Sequence, residues 1–277
     1  MTFIGVLYPL LVMGVLGLAF GALLAFASIK FFVKVDERVS KIREILPGAN
    51  CGGCGYPGCD GYADSIVNGG AATNRCAAGG ASLAAGIASI MGVAAEEAVP
   101  KIAFRKCNGS PDASARNAAY VGIGDCRSAV VVPSGSPNSC PFGCLGLGTC
   151  TKVCLFGALS IVNGLSCIDI DKCVGCGACV SACPKSVLTL IPKTSNIQVI
   201  CNSKWRGPDV KRVCSVGCIG CGICARACQA GAITVEGNLA KIDPAKCTNC
   251  GACAEKCPAK CIGCVVLKRE EEEKKIA

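Results

Sequence analysis

CIGCGICARAC at residues 218–228 and, after eighteen further residues, CTNCGACAEKCP at residues 247–258 form the stretch that decides the fold. Each run has the C-x2-C-x2-C-x3-C spacing of bacterial iron–sulfur proteins, in which the fourth cysteine of one run reaches the cluster held by the other. The spacing therefore predicts two four-cysteine sites whose ligands cross between the runs. The ligand sets are Cys218, Cys221, Cys224 and Cys257, and Cys228, Cys247, Cys250 and Cys253.

Disulfides and zinc are the alternatives for a cysteine-rich chain. A small secreted disulfide scaffold would be far shorter than 277 residues. Zinc sites usually present pairs of ligands with a longer spacer, not four ligands packed into one short run. The chain has 27 cysteines and no histidine, which excludes Rieske centres, histidine-ligated haem and Cys2His2 zinc. Metal chemistry in this protein is therefore thiolate chemistry.

The formal net charge of +9 would suit an anionic partner such as a nucleic acid. A four-iron cluster with its four thiolates carries about −2 when oxidised, so five clusters would add about −10. The loaded protein would then be roughly neutral, and the sequence has no basic stripe with interleaved aromatic residues. We therefore expect no nucleic-acid partner.

Residues 2–29 contain no charged side chain. As a helix they would span about 42 Å, more than the roughly 30 Å hydrocarbon core of a bilayer, so the sequence predicts one transmembrane helix. A cleaved signal peptide is the alternative, because Ala25-Phe26-Ala27 resembles a cleavage site, but a basic leading region is missing and the apolar run is too long. Lysines and arginines follow between residues 30 and 43, which predicts a single-pass protein of the cell (inner) membrane with the later domains in the cytoplasm.

A short amphipathic linker over residues 31–47 leads into a glycine-rich motif at residues 51–59, CGGCGYPGC. Its glycines allow the backbone to approach a cluster and to present N–H groups to the sulfurs. The motif predicts the first 4Fe-4S site, with zinc as the alternative because the C-x2-C start is common to both metals. The predicted ligands are Cys51, Cys54, Cys59 and Cys76.

An internal repeat predicts two ferredoxin-like units in tandem. Cysteines at 140, 144, 150 and 154, followed by a C-x2-C-x2-C-x3-C-P run at residues 173–184, match the region from Cys214 onward. The apolar segments 157–161 and 231–235 after the first run of each unit predict a strand followed by a turn. The regular site of the first unit is predicted from Cys154, Cys173, Cys176 and Cys179.

The first unit departs from the repeat at Leu147, which occupies the position of Cys221. Leucine cannot bind iron, so either Cys140 supplies the missing thiolate or the site holds a three-iron cluster. We favour Cys140, which lies nearby and has no other role. This second site is then predicted from Cys140, Cys144, Cys150 and Cys183.

Seven cysteines fall outside these five sites. Cys107-Asn108 recurs as Cys201-Asn202, and Cys126 and Cys214 each precede a run of ligands. A sixth site formed by Cys107, Cys126, Cys201 and Cys214 is therefore an alternative to the simpler interpretation of buried free thiols. Cys167, Cys261 and Cys264 have no predicted role.

The expected fold class is α+β, with one N-terminal transmembrane helix, a small glycine-rich 4Fe-4S domain and two tandem bacterial-ferredoxin-like units. The predicted organisation is an anchor (1–30), an amphipathic linker (31–47), the glycine-rich domain (48–100), a cysteine-poor connection (101–139), unit 1 (140–193), an insert (194–213), unit 2 (214–265) and a charged tail (266–277). Five [4Fe-4S] clusters are expected, with [3Fe-4S] as the alternative in the second site and a sixth cluster if the four remaining cysteines bind one.

This order of modules resembles the B subunit of the Rnf ion-translocating electron-transport complex, in its long, cysteine-rich form. The resemblance covers essentially the whole chain. It implies a relay subunit of a ferredoxin:NAD⁺ oxidoreductase that pumps Na⁺ or H⁺, with the other subunits of the complex and soluble ferredoxin as partners. Gln229, where a proline usually follows the fourth cysteine, and a short C-terminal end depart from the family pattern.

The residues themselves favour an electron carrier without catalytic residues of its own. The sequence shows no acid, base or nucleophile constellation, and its glycine-rich segments do not lie between a strand and a helix as a nucleotide fingerprint requires. The lone apolar helix has no internal charge and cannot form an ion path by itself. A membrane-anchored polyferredoxin that serves a different reductase and a non-redox metal-binding scaffold are the alternative functions.

Overall fold

The computed structural model describes residues 3–31, 36–95, 99–131 and 136–264. The charged tail predicted for 266–277 lies outside the described residues. The helices are α1 (Phe3–Lys30), α2 (Glu37–Ile45), α3 (Cys59–Asn68), α4 (Gly80–Met91), α5 (Cys126–Val130), α6 (Thr149–Lys152), α7 (Ala178–Ala182), α8 (Gly207–Val213), α9 (Ile223–Ala227) and α10 (Ala252–Glu255). The strands are β1 (Lys101–Arg105), β2 (Leu159–Val162), β3 (Leu165–Ile168), β4 (Leu188–Pro192), β5 (Ile197–Val199), β6 (Ile233–Glu236), β7 (Leu239–Ile242) and β8 (Ile262–Cys264).

The predicted N-terminal helix is α1, which has 28 residues. Its segment Leu10–Lys30 is long and apolar enough to cross a membrane. Side chains such as Met13 and Leu18 are 72% and 77% exposed, so this helix does not form part of a protein core. A helix with these properties is compatible with a membrane anchor.

Three helices build the glycine-rich domain. The amphipathic stripe predicted after the anchor is α2, whose N-cap Asp36 accepts a hydrogen bond from the backbone N–H of Arg38. Ile42 of α2, Tyr62 of α3 and Ile87 of α4 are each at most 1% exposed and belong to one apolar core. This core holds the loop of residues 51–58 against α3.

Each ferredoxin-like unit contains the predicted strand and turn as an antiparallel hairpin. In unit 1, β2 pairs with β3 across Asn163-Gly164, and in unit 2, β6 pairs with β7 across Gly237-Asn238. All four turn residues have positive φ, as a two-residue turn between twisted strands requires. The α+β class with two ferredoxin-like units is confirmed.

In a second pair of sheets, a strand that the sequence interpretation placed outside each unit pairs with a strand inside it. β1 pairs antiparallel with β4, and β5 pairs antiparallel with β8. The repeat in the structure therefore begins at β1 and β5, before the predicted starts at residues 140 and 214. Pairing between strands so far apart in the chain cannot be predicted from cysteine spacing, because these short strands carry no ligands. The pairing brings Cys107 and Cys201, which follow β1 and β5, into the repeat.

Candidate metal centres

Unit 2 gathers the four cysteines predicted for its first site around one cavity. Gly220 turns the loop between two of them with φ of 67°, and an added Cβ would lie 2.8 Å from the Asn238 carbonyl oxygen, so glycine is required there. Burial raises the pKa of Cys224, and the charges of the other three cysteines act in the same direction. The cysteines that line the cavity are Cys218, Cys221, Cys224, Cys257 and, in addition, Cys261.

Cys261 is a fifth thiol at this site that the sequence interpretation left without a role. Its side chain is 2% exposed, and its Sγ lies 3.6 Å from Cys257 Sγ. A hydrogen bond with Cys261 lowers the pKa of Cys218. The same bond raises the pKa of Cys261, so the proton stays on Cys261 and Cys218 is the readier thiolate.

The structure also brings together cysteines of the two remaining regular sites. Burial raises the pKa of Cys253, and the charges of Cys247 and Cys228 add to this effect, as does that of Cys224 from the neighbouring site. In unit 1, Cys154, Cys173, Cys176 and Cys179 line one cavity. Burial raises the pKa of Cys179 to about 12, and its three partners act in the same direction.

Backbone N–H groups point at the sulfurs of these sites. The N–H of Ala158 donates to Cys154 Sγ over 3.3 Å, and at the equivalent position of unit 2 the N–H of Ala232 donates to Cys228 Sγ over 3.4 Å. The N–H of Ala103 in β1 donates to Cys173 Sγ over 3.3 Å. Such donors stabilise thiolate charge and tune whatever the thiolates bind.

The glycine-rich motif places its cysteines around the start of α3. The N–H of Cys59, the first residue of α3, donates to Asn50 Oδ1 over 2.8 Å, which fixes the loop at this helix end. Cys54, Cys59 and Cys76 pack against the same apolar core. Burial raises the pKa of Cys76, and the charges of Cys51 and Cys54 act in the same direction. The four predicted cysteines are therefore neighbours.

The cavity at the irregular site of unit 1 is lined by a different set of cysteines from the one that the sequence predicted. The cysteines that line this cavity are Cys126, Cys144, Cys150 and Cys183. Cys126, not Cys140, therefore lies beside the other three cysteines. The backbone N–H of Cys126 donates to Thr149 Oγ1 over 2.6 Å, and Thr149 Oγ1 donates to the N-cap Asp125 over 2.9 Å. These bonds hold α5 next to Cys150.

Cys140 lies in a different cavity, which contains three of the four cysteines predicted for a sixth site. Its lining includes Cys107, Cys140, Cys201 and Cys214. Burial raises the pKa of Cys140 to about 11, and the charges of the other three act in the same direction. The side chain of Asn138 donates to the carbonyl oxygen of Cys144 over 2.7 Å and holds the 138–144 turn towards this cavity. The structure therefore exchanges Cys126 and Cys140 between the two predicted sets.

This sixth cavity lies between the two units and is built from equivalent pairs. Cys107 and Cys201 follow β1 and β5, and Cys140 and Cys214 each stand four positions before the first ligand of a run. The backbone N–H of Cys144 donates to Cys107 Sγ over 3.3 Å, and the backbone N–H of Cys218 likewise bonds the Cys201 thiol. The shared spacing of Cys140 and Cys214 was the sequence signal that could have grouped them.

The six groups of cysteines have a donor set that suits a polynuclear cationic core. Mutual repulsion of the thiolates opposes their ionisation, and a bound cation would relieve it. Within the described ranges, no three His, Cys, Asp or Glu side chains are arranged to hold a single metal ion. The thiols of the Cys107, Cys126, Cys154 and Cys218 groups instead line cavities, as ligands at the corners of a larger core would.

Ser166 of β3 gives a second observation at the Cys126 cavity. It lines this cavity and is 1% exposed. In the part of the chain that the structure describes, its Oγ is buried without a hydrogen-bond partner. An unsatisfied buried hydroxyl costs about 1–3 kcal/mol, so the residues fit a bound group that accepts a hydrogen bond.

Contacts of the chain make the six sites successive neighbours. Gly53 of the first site packs on the Cys176 backbone, where an added Cβ would lie 2.6 Å from the carbonyl oxygen. Cys150 of the irregular site acts on the pKa of Cys179 in the regular site of unit 1. The backbone hydrogen bonds from Cys144 to Cys107 and from Cys218 to Cys201 join both units to the sixth cavity. Cys224 acts on the pKa of Cys253 in the last site. The row therefore runs from the glycine-rich domain through unit 1 and the sixth cavity to unit 2.

Three segments match known iron–sulfur families. Residues 46–78 match a family of Fe-S cluster domains, residues 167–189 match the 4Fe-4S binding domain, and residues 217–261 match the 4Fe-4S dicluster domain.

Similarity over most of the chain extends to several proteins, each named as the B subunit of a complex. Over 93% of its length, the chain is 48% identical to the B subunit of the Na⁺-translocating ferredoxin:NAD⁺ oxidoreductase complex of Acetobacterium woodii, and the match covers 77% of that subunit. Over 87% of its length, it is 44% identical to the B subunit of the proton-translocating ferredoxin:NAD⁺ oxidoreductase complex of Clostridium ljungdahlii, and the match covers 86% of that subunit. Over 89% of its length, it is 41% identical to the B subunit of the ion-translocating oxidoreductase complex of Methanosarcina acetivorans, and the match covers 94% of that subunit.

Proposed function

Because this chain belongs to the family of B subunits of ion-translocating oxidoreductase complexes, we propose that it is the membrane-anchored electron-transfer subunit of a ferredoxin:NAD⁺ oxidoreductase. The row of neighbouring four-cysteine sites is the observation that carries this function. When bound, iron–sulfur clusters would supply one-electron redox chemistry. The chain's own part is to hold the thiolates, to bury them and to direct backbone N–H groups at their sulfurs.

Six [4Fe-4S] sites follow from this proposal. The Cys126 thiol completes the irregular site as a four-iron site, in place of the three-iron alternative. Cys257 is the fourth ligand of the Cys218 site. Cys261 is a neighbour and not a ligand, because the position equivalent to Cys261 in unit 1 is Val187. The ligand sets are Cys51, Cys54, Cys59 and Cys76; Cys154, Cys173, Cys176 and Cys179; Cys126, Cys144, Cys150 and Cys183; Cys107, Cys140, Cys201 and Cys214; Cys218, Cys221, Cys224 and Cys257; and Cys228, Cys247, Cys250 and Cys253.

The partners follow from the two ends of the row. α1 leads into the glycine-rich domain, so this end lies nearest to the membrane subunits of the complex. Cys250 at the other end is exposed, which gives a soluble protein access to the last site. Soluble ferredoxin therefore docks on unit 2, and no nucleic acid takes part. Hydrogen exchange measured with and without ferredoxin should show protection in 214–264 but not in 48–95; protection confined to 48–95 would reverse this orientation.

The cytoplasm is the compartment that suits both the thiolates and the basic residues after α1. Protease added to inverted membrane vesicles should therefore degrade residues 48–264, whereas right-side-out vesicles should protect them. The reverse pattern would contradict the proposed sidedness.

Iron and acid-labile sulfide analysis of anaerobically purified chain tests the cluster sites directly. Six sites predict about 24 irons and about as many sulfides per chain, and five predict about 20 irons. A small number of zinc ions without sulfide would indicate a non-redox scaffold instead. Anaerobic purification from membranes should recover the other subunits of the complex; recovery of an unrelated reductase would support a polyferredoxin.

A further inference from the structure

Ser166 and its surroundings have a feature that cysteine ligation leaves unexplained. The hydroxyl is enclosed beside the Cys126, Cys144, Cys150 and Cys183 thiols, and Val187 and Leu188 form an apolar part of the same wall. Within the described residues the Oγ has no hydrogen-bond partner, while the Ser166 carbonyl oxygen accepts from the buried guanidinium of Arg105. A hydroxyl shut away from water is destabilising unless its O–H finds an acceptor. The remaining acceptor is whatever occupies the cavity.

The equivalent position in unit 2 carries no hydroxyl. Ser166 pairs with Ile161 in the β2–β3 hairpin, and Ala240 pairs with Val235 in the β6–β7 hairpin at the same register. Ala240 is 3% exposed and lines the cavity of Cys218. The fold therefore accepts a methyl group at this position, so a buried serine is not needed for the hairpin itself.

We infer that the Ser166 hydroxyl donates a hydrogen bond to a cluster held by Cys126, Cys144, Cys150 and Cys183 and raises the reduction potential of this site. This inference rests on the proposed function. Reduction adds negative charge to a cluster, and the positive end of an O–H dipole stabilises the more negative state. Ser166 is a positioning residue that sets the potential and is not a ligand.

A redox titration of the anaerobically purified full chain, followed by electron paramagnetic resonance, tests the inference. Ser166→Ala, which copies Ala240, should shift the midpoint potential of one signal to a more negative value and leave the other signals unmoved. The affected signal should be the one that Cys126→Ser changes. Iron content should match that of the wild type, because no ligand is removed.

Ala240→Ser provides the reciprocal test in a different cavity and does not depend on the stability of the first variant. It should shift the signal that Cys221→Ser changes to a more positive potential. Unmoved potentials in both variants, with full iron content, would overturn the inference while leaving the proposed function intact. A wild-type chain without iron and sulfide would instead overturn the proposed function.

Discussion

Val187 and Cys261 occupy equivalent positions in the two ferredoxin-like units. Each carbonyl oxygen accepts a backbone hydrogen bond of 2.7 Å, from Lys106 and from Ile200 respectively, and each side chain is 2% exposed. Val187 lines the cavity of Cys126 in unit 1, and Cys261 lines the cavity of Cys218 in unit 2. The same buried position therefore holds an apolar side chain in unit 1 and a thiol in unit 2.

Cys261→Val should retain the full iron content because valine at this position is compatible with a four-cysteine site in unit 1. The substitution conserves volume approximately, so the free energy of unfolding should change by less than about 1.5 kcal/mol. Iron and sulfide analysis with chemical denaturation measures both quantities. Cys257→Ser is the control that removes a proposed ligand and should lower iron content. Loss of iron from Cys261→Val would show that Cys261 is itself a ligand.

Double substitutions should distinguish the two assignments of Cys140. The loss caused by Cys107→Ser combined with Cys140→Ser should not exceed one cluster, about four irons, because both residues belong to one site. Cys140→Ser combined with Cys150→Ser should cost two clusters, about eight irons. If Cys140 instead completed the irregular site, the two double variants would exchange their iron contents. Cys167→Ser, outside all six sets, should leave iron unchanged.

Thr149→Val should loosen α5 and with it Cys126. The substitution removes the acceptor of the Cys126 N–H and the donor to Asp125, and Thr149 is 4% exposed. We expect a loss of about 1–3 kcal/mol in the free energy of unfolding. Chelation of iron should also be faster at one site, as followed by absorbance of the loaded chain. Thr149→Ser keeps the hydroxyl and should behave like the wild type; equal effects of both variants would exclude this explanation.

Gly53→Ala should separate the glycine-rich domain from unit 1. An added Cβ would lie 2.6 Å from the Cys176 carbonyl oxygen and 2.9 Å from its Cα, and neither backbone atom can move without shifting a proposed ligand. Limited proteolysis between residues 92 and 100 should become faster, and magnetic coupling between the two neighbouring sites should weaken. Gly124→Ala, where nothing lies within 4 Å of the added Cβ, should have no effect. Unchanged coupling in Gly53→Ala would contradict the close approach.

Cysteine spacing by itself predicted the regular sites. In the runs at 173–184 and 247–258, three predicted ligands lie within seven residues, and the paired run supplies the fourth. Covalent connectivity therefore leaves little freedom in where the ligands lie. The length and charge-free composition of α1 likewise predicted an apolar helix without reference to the rest of the chain. The strand and turn of each unit followed from the apolar segments 157–161 and 231–235.

Only the tertiary structure decided where Cys126 and Cys140 lie. Both precede Cys144 in the sequence, and Cys140 is much closer to it along the chain, so proximity favoured Cys140, whereas Cys126 is the one that lines the cavity of Cys144. The Asp125–Thr149 bond brings Cys126 to Cys150, while the pairing of β1 with β4 and of β5 with β8 turns Cys107 and Cys201 towards Cys140 and Cys214. These contacts join residues far apart in the chain, and they depend on strand pairing and on a side-chain hydrogen bond, which local spacing does not encode.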